Sequence, residues 1–222
     1  MRSFDGKKES NGPNPFGNKM TRKQKTPTGP VIKVSSFKKA YGRTLAVSGV
    51  DLMVHPGEMY GLIGPDGAGK STLMKALAGV LTYDSGMVEV FGLPVRTEKE
   101  AEVIKAGIGF MPQGLGLNLY PELSVEENID FFARLRLVSE SDLKIRKQRL
   151  LTMTRLDAFQ KRPMKNLSGG MKQKLGLICS LIHEPDLIIL DEPTTGVDPV
   201  SRRDFWAILA SLLWERGMSA LV

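Results

Sequence analysis

The stretch Gly64-Pro65-Asp66-Gly67-Ala68-Gly69-Lys70-Ser71 has the pattern G-x-x-x-x-G-K-S, and it constrains the rest of the chain. Glycines let a backbone turn tightly and approach an anion without a Cβ in the way. Successive inward-facing N–H groups then cradle phosphate oxygens. The spacing places Lys70 at the opening of a helix, where its ammonium reaches β- and γ-phosphates, and it gives the Ser71 hydroxyl to Mg²⁺. The helix N-terminus adds a partial positive charge. The flanks agree: residues 58–63 read as a short buried strand and residues 72–78 as a helix. The plain alternative, a chance glycine-rich turn, gives no reason for that strand–loop–helix setting.

Length and composition set the bounds. The 222 residues hold one sizeable domain or two small ones. One cysteine, Cys179, excludes an intrachain disulfide framework and suits a reducing compartment. No stretch approaches the roughly 20 apolar residues of a membrane helix, and the N-terminus has no signal-peptide run. The expectation is a cytoplasmic protein, peripheral at the inner face of the cell membrane through partner domains. Of the net charge of +7, +5 lies in residues 1–30, so the basicity belongs mostly to that tail. The tail is rich in Gly, Pro, Asn and Lys and is expected to be disordered. Its competing reading is electrostatic contact with RNA or anionic lipid. No DNA partner is expected.

Downstream, residues 31–34 and 50–54 read as strands, with a turn at Lys39–Gly42 that holds Tyr41. Asp84–Gly86 is a turn, residues 87–91 alternate like a half-buried strand, and residues 106–111 form a short buried strand ending at Pro112-Gln113. Ser124-Val-Glu-Glu127 is a capping box opening an amphipathic helix through Phe131, Phe132 and Leu135. A second helix, about 142–156, carries Lys144, Arg146, Lys147 and Arg149, read either as an RNA-binding face or as the commoner solvated face. Residues 119–167 therefore look like an all-helical insert. Leu167-Ser-Gly-Gly170 leads into a helix with the apolar stripe Leu175, Ile178, Cys179 and Ile182, and His183 at its end is expected to favour the cation. Asp198-Pro199 is an N-cap and N1 proline, and Ser219–Val222 starts another core strand.

Residues 187–192, Leu-Ile-Ile-Leu-Asp-Glu, form an apolar strand that delivers two carboxylates at its C-terminal end. Ligands of open α/β sheets bind at that edge. Asp191 is placed to hold Mg²⁺ through water, and Glu192 to polarise an attacking water.

Five patterns now stand in the order and spacing of one family: Gly64–Ser71, Gln113, Leu167–Gly170, Leu190-Asp-Glu-Pro193 and Gly196-Val-Asp198. Over about residues 31–222 the chain resembles the ABC-type ATPases. The resemblance implies an α/β phosphate-loop NTPase core with an inserted all-helical subdomain. It implies ATP and Mg²⁺ as cofactors, with Gly64 through Ser71 and Thr72 around the phosphates, Lys70 also serving catalysis, and Tyr41 stacked on adenine. It gives Ser71, Gln113 and Asp191 to the metal and makes Glu192 the catalytic carboxylate. Gln113 also relays to a transporter's membrane part. Ser168, Gly169 and Gly170 cap the γ-phosphate bound to an opposing cassette, and Asp198 couples the two sites. Each has a plain counterpart: Tyr41 as a turn aromatic, Gln113 as a strand end, Ser168 as a helix N-cap. For Ser168 the two readings coincide, because a capped helix N-terminus is itself an anion site.

The implied function is an ATP-hydrolysing cassette of an ABC transporter that couples hydrolysis to export. The alternatives are a ribosome-associated ABC ATPase acting in translation and a non-hydrolysing cassette in a tandem pair. The partners implied are a second cassette, a transmembrane transporter domain and, on the alternative, the ribosome. Residues 111–120 and 192–202 are similar to the first cassette of bacterial tandem-cassette exporters and of the ribosome-associated ATPase. The family's switch histidine is matched by neither His55 nor His183. Its expected place lies beyond Val222, so the sequence reads as truncated at its C-terminus.

Overall fold

A computed structural model describes residues 29–114, 116 and 118–222. All but the last two residues of the expected disordered tail therefore lie outside the described residues. Two sheets organise the rest. The antiparallel one contains β1 (Ile32–Tyr41), β2 (Thr44–Val54), β4 (Ser85–Val90) and β5 (Leu93–Pro94), in the order β2-β1-β4-β5. The parallel one contains β3 (Met59–Tyr60), β6 (Ile108–Met111), β7 (Leu187–Leu190) and β8 (Ser219–Leu221), in the order β3-β8-β7-β6.

The parallel sheet is apolar because both of its faces are covered. Leu187, Ile188, Ile189 and Leu190 are all fully buried. Ile188 and Leu190 belong to one core with the helices that precede and follow this strand; Leu187 and Ile189 belong to the other, beneath the antiparallel sheet. One strand thus ties the two cores together. The expected strand over 58–63 is regular only at Met59–Tyr60, after which a single ladder bond continues, from Leu62 N–H to Val222 O (2.6 Å). The expected turn over 39–42 is narrower: Lys39, Ala40 and Tyr41 remain in β1, and only Gly42-Arg43 turns. Bulges between Val34 and Phe37 and between Lys39 and Ala40 break the alternation while the pairing continues.

The loop helix α1 (Lys70–Leu77) buries Leu73, Met74, Ala76 and Leu77. Next comes α2 (Glu98–Lys105), started by a Thr97/Glu100 capping box. The segment between β6 and β7 is helical: α3 (Val125–Leu135), α4 (Glu140–Thr154) and α5 (Gly169–Leu181). The Ser124/Glu127 box opens α3. Buried Asn128 anchors that start, its amide donating to the carbonyls of Tyr120, Leu123 and Ser124 and accepting from Tyr120 N–H. After β7, α6 (Pro199–Arg216) runs from its Asp198 cap to left-handed Gly217. Helix α5 lies so near β6 that a Cβ on Gly109 would sit 2.4 Å from the Ser180 carbonyl oxygen.

Two sequence expectations meet different surroundings here. Three basic residues of α4 are engaged in ion pairs: Arg146 with Asp142 (3.5 Å) and Glu184 (3.2 Å), Lys147 with Asp130 (2.6 Å), and Arg149 with Glu215. They join α4 to α3 and to the core rather than forming an open basic face. His183 is not a cation at a helix end. Burial, with Arg136 beside it, pushes its imidazole down to about 4, and neutral Nε2–H donates to Ile108 O (3.0 Å). The cost of burying an unpaired charge outweighs the helix dipole.

Candidate functional site

A cleft of about 250 Å³ opens at the C-terminal edge of the parallel sheet, lined by Ala46, residues 66–72, Gln113 and Glu192. Its floor is the loop between β3 and α1. Gly69, the N-cap of α1, has φ 86°, and a Cβ there would fall 2.4 Å from Val47 Cγ2 and 2.6 Å from Ala46 O. Only glycine fits both the left-handed backbone and that approach. The same approach brings Ala46 of β2 into the lining, which no local motif announces. Gly64 and Pro65 do not line the cleft; their carbonyls accept from Lys70 Nζ at 2.7 and 3.0 Å. The ammonium is thereby folded over the loop, a short reach from any anion bound there.

Ser71 and Asp191 meet across the cleft's base. Ser71 Oγ donates to Asp191 Oδ1 (2.9 Å), and Asp191 N–H donates to Met111 O (2.9 Å). Asp191 is only 1% exposed, and its Oδ2 is buried with no hydrogen-bond partner among the described residues. A buried carboxylate oxygen left unpaired is costly. An oxygen-only pair of a hydroxyl and a carboxylate suits a hard divalent cation such as Mg²⁺.

Gln113 and Glu192 leave the sheet side by side because β6 and β7 are parallel neighbours with Met111 opposite Leu190. Gln113 Nε2 donates to Glu192 Oε2 at 2.8 Å, and Thr195 Oγ1 donates to the same oxygen at 3.1 Å. Glu192 has φ 48°, a left-handed conformation. For a residue with a side chain this costs about 1–3 kcal/mol and persists where surrounding structure over-determines it. Neither Thr195 nor the strained backbone was foreseen. The four-residue turn Glu-Pro-Thr-Thr was the one available signal.

The other candidates lie outside the cleft. Tyr41 is half exposed at the end of β1, with Lys39 Nζ 5.5 Å from its ring centre. Ser168 caps α5 through Met171 N–H (3.3 Å), with Gly169 and Gly170 in the first turn. Asp198 caps α6 by accepting from Val200 and Ser201 N–H, bonds that hold its carboxyl below the usual range. Cys179 is buried, and burial pushes its thiol up, which fits an inert core residue. A larger groove, about 420 Å³, lies on α3 between Glu127, Asp130, Phe131, Arg134 and Leu135 and shares no residue with the cleft.

The sequence profile described as "ABC transporter" matches residues 47–195. The chain is 47% identical over 177 residues to the probable multidrug ABC transporter ATP-binding protein YbhF of Escherichia coli (strain K12), covering 79% of this chain and 30% of that protein. It is 39% identical over 191 residues to the Nod factor export ATP-binding protein I of Paraburkholderia xenovorans (strain LB400), covering 86% of this chain and 61% of that one. The chain thus spans less than two thirds of either relative. Among solved structures, it superposes with a TM-score of 0.76 and 26% identity on the ATP-binding cassette MJ0796, a dimer in a post-hydrolysis state bound to ADP and Pi. That match covers 86% of each chain.

Proposed function

The chain belongs to the ABC transporter family, and from that premise we propose that it binds and hydrolyses ATP to drive export across a membrane. The observation that carries the reading is the cleft itself, where the phosphate loop, the Ser71–Asp191 pair and the Gln113–Glu192 pair converge. One relative is named for Nod factor export and the other as a probable multidrug transporter's ATP-binding protein, and the first name supports the direction.

In this reading Lys70 exchanges its two loop carbonyls for phosphate oxygens, while the loop's N–H groups and the start of α1 take the remaining negative charge. Ser71 and Asp191, with Gln113, hold Mg²⁺, and the orphaned Asp191 Oδ2 supports that assignment. When bound, the ion neutralises charge on the terminal phosphates. Glu192 takes the proton from the attacking water, and Gln113 holds the carboxylate in place. Tyr41, exposed at the end of β1, stacks on adenine. Ser168–Gly170 lie outside this cleft and serve the nucleotide of a second cassette, with Asp198 coupling the two sites.

The second partner is a transmembrane transporter domain. No helix among the described residues is long and apolar enough to cross a membrane. Membership of the family assigns the path for cargo to that partner. The protein sits at the inner face of the membrane through it. An RNA-binding face on α4 has less support, because Arg146, Lys147 and Arg149 are held in ion pairs, and the ribosome alternative keeps only the resemblance of residues 111–120 and 192–202.

Lys70→Ala tests the reading directly. A charge-assisted contact of roughly 1.5–3 kcal/mol predicts about a 10- to 100-fold loss of Mg-ATP affinity, measured by equilibrium binding. Unchanged affinity rejects the phosphate-loop assignment.

A further inference from the structure

Glu192 is held from two directions, and only one of them is accounted for by Gln113. The Glu192 backbone is left-handed, Pro193 follows, and Thr195 N–H returns to Glu192 O at 3.3 Å, closing a four-residue turn. That turn brings the Thr195 hydroxyl onto Glu192 Oε2 at 3.1 Å, where Gln113 Nε2 also donates at 2.8 Å. The two donors come from different elements, the turn after β7 and the end of β6, and they converge on one oxygen. No protein donor reaches Oε1 among the described residues. We propose that Thr195 is a positioning residue for catalysis: with Gln113 it fixes Glu192 Oε2, so that Oε1 is the oxygen left to take the proton of the attacking water.

The argument is geometric. A glutamate carboxylate sits on three rotatable bonds and samples several rotamers, and a base is effective only when held within hydrogen-bond reach of its proton. One donor leaves the group free to swing about that bond. A second donor on the same oxygen, from a separate element, removes the swing and leaves the other oxygen unobstructed. Thr195 is exposed, so losing its hydroxyl removes this constraint without opening the core.

The proposal rests on the catalytic role of Glu192, and the test separates the two. Single-turnover hydrolysis and equilibrium binding of Mg-ATP are measured on the chain in its native assembly. The variants are Thr195→Val, Thr195→Ser, Glu192→Gln and the Glu192→Gln/Thr195→Val double variant. Thr195→Val is expected to slow hydrolysis about 3- to 10-fold, the net worth of one ordinary solvent-exposed hydrogen bond, with ATP affinity changed less than about twofold. Thr195→Ser, which keeps the hydroxyl, restores most of the rate. In the Glu192→Gln background the valine has no further effect, because the residual rate no longer uses the carboxylate. A merely structural threonine would slow both backgrounds by the same factor, and that result overturns the proposal. So does a wild-type rate in Thr195→Val, or a serine no better than the valine. If Glu192→Gln itself hydrolyses normally, the role of Glu192 falls and this proposal falls with it.

Discussion

The nucleotide cleft and the helical segment between β6 and β7 are built on opposite terms. In the cleft a few side chains are fixed by single-atom hydrogen bonds at the ends of fully buried strands: Ser71 on Asp191, and Gln113 and Thr195 on Glu192. A strained backbone at Glu192 is tolerated there. In the helical segment the polar side chains work on structure instead. Ser124 and Glu127 cap α3, buried Asn128 ties down the chain before it, and Lys147, Arg146 and Arg149 pair with carboxylates of neighbouring elements. The difference teaches where substitutions are felt. Changes in the cleft should alter turnover with little effect on melting, and changes in the helical segment should do the reverse.

The largest effect is expected from Glu192→Gln. It should keep ATP binding while slowing hydrolysis about 10²- to 10⁴-fold, the usual worth of a general base, with an unchanged melting temperature. A large fall in melting temperature would break the contrast by making Glu192 structural.

Next comes Ser124→Ala, which removes half of a capping box and should cost about 1 kcal/mol of stability, read by denaturant unfolding. Hydrolysis by the folded protein should be unaffected. The Ser124 backbone N–H, then the Ser124 hydroxyl, hold the Glu127 carboxyl below its usual range. A carboxyl lowered on folding contributes stability above its ordinary value near 4.5, and that contribution is lost as the pH falls through the lowered folded value. The gap between wild type and Ser124→Ala should therefore narrow in acid. A gap that widens there would contradict the capping box.

The smallest effect belongs to Lys147→Ala. Its pair with Asp130 is partly exposed, so its loss should cost under about 1 kcal/mol and shrink further in high salt. A loss of turnover in that variant would show that the helical segment reaches the chemistry through α4 and would erase the distinction.

Much of this was legible because it is local. The phosphate loop, the Ser124 box, the Ser168 and Asp198 caps and the apolar run of β7 each announce themselves within a few residues. Helix α2 was missed although Thr97 and Glu100 spell a capping box, because only Ala101 and Ile104 are buried and its apolar stripe is short. β1 and β2 were recognised only at their ends, where no bulge disturbs the alternation. Nothing local places Ala46 under Gly69 or brings Gln113 to a residue 79 positions away. Those follow from tertiary contact, and they are where the cleft acquires its precise shape.

The close seat of α5 on Gly109 has a mechanical side. The helix touches β6 at Ser180, near its far end, and begins at Gly169, about 16 Å away at 1.5 Å per residue. A helix of that length is stiff. Its other end is seated as closely: a Cβ on Gly170 would sit 2.5 Å from Ser201 at the start of α6. The strand beneath the Ser180 end stops two residues before Gln113. The missing side chains at positions 109 and 170 thus set how far the rod stands from β6 at one end and from α6 at the other, and with that where the Ser168 cap lies relative to the strand that leads to Gln113.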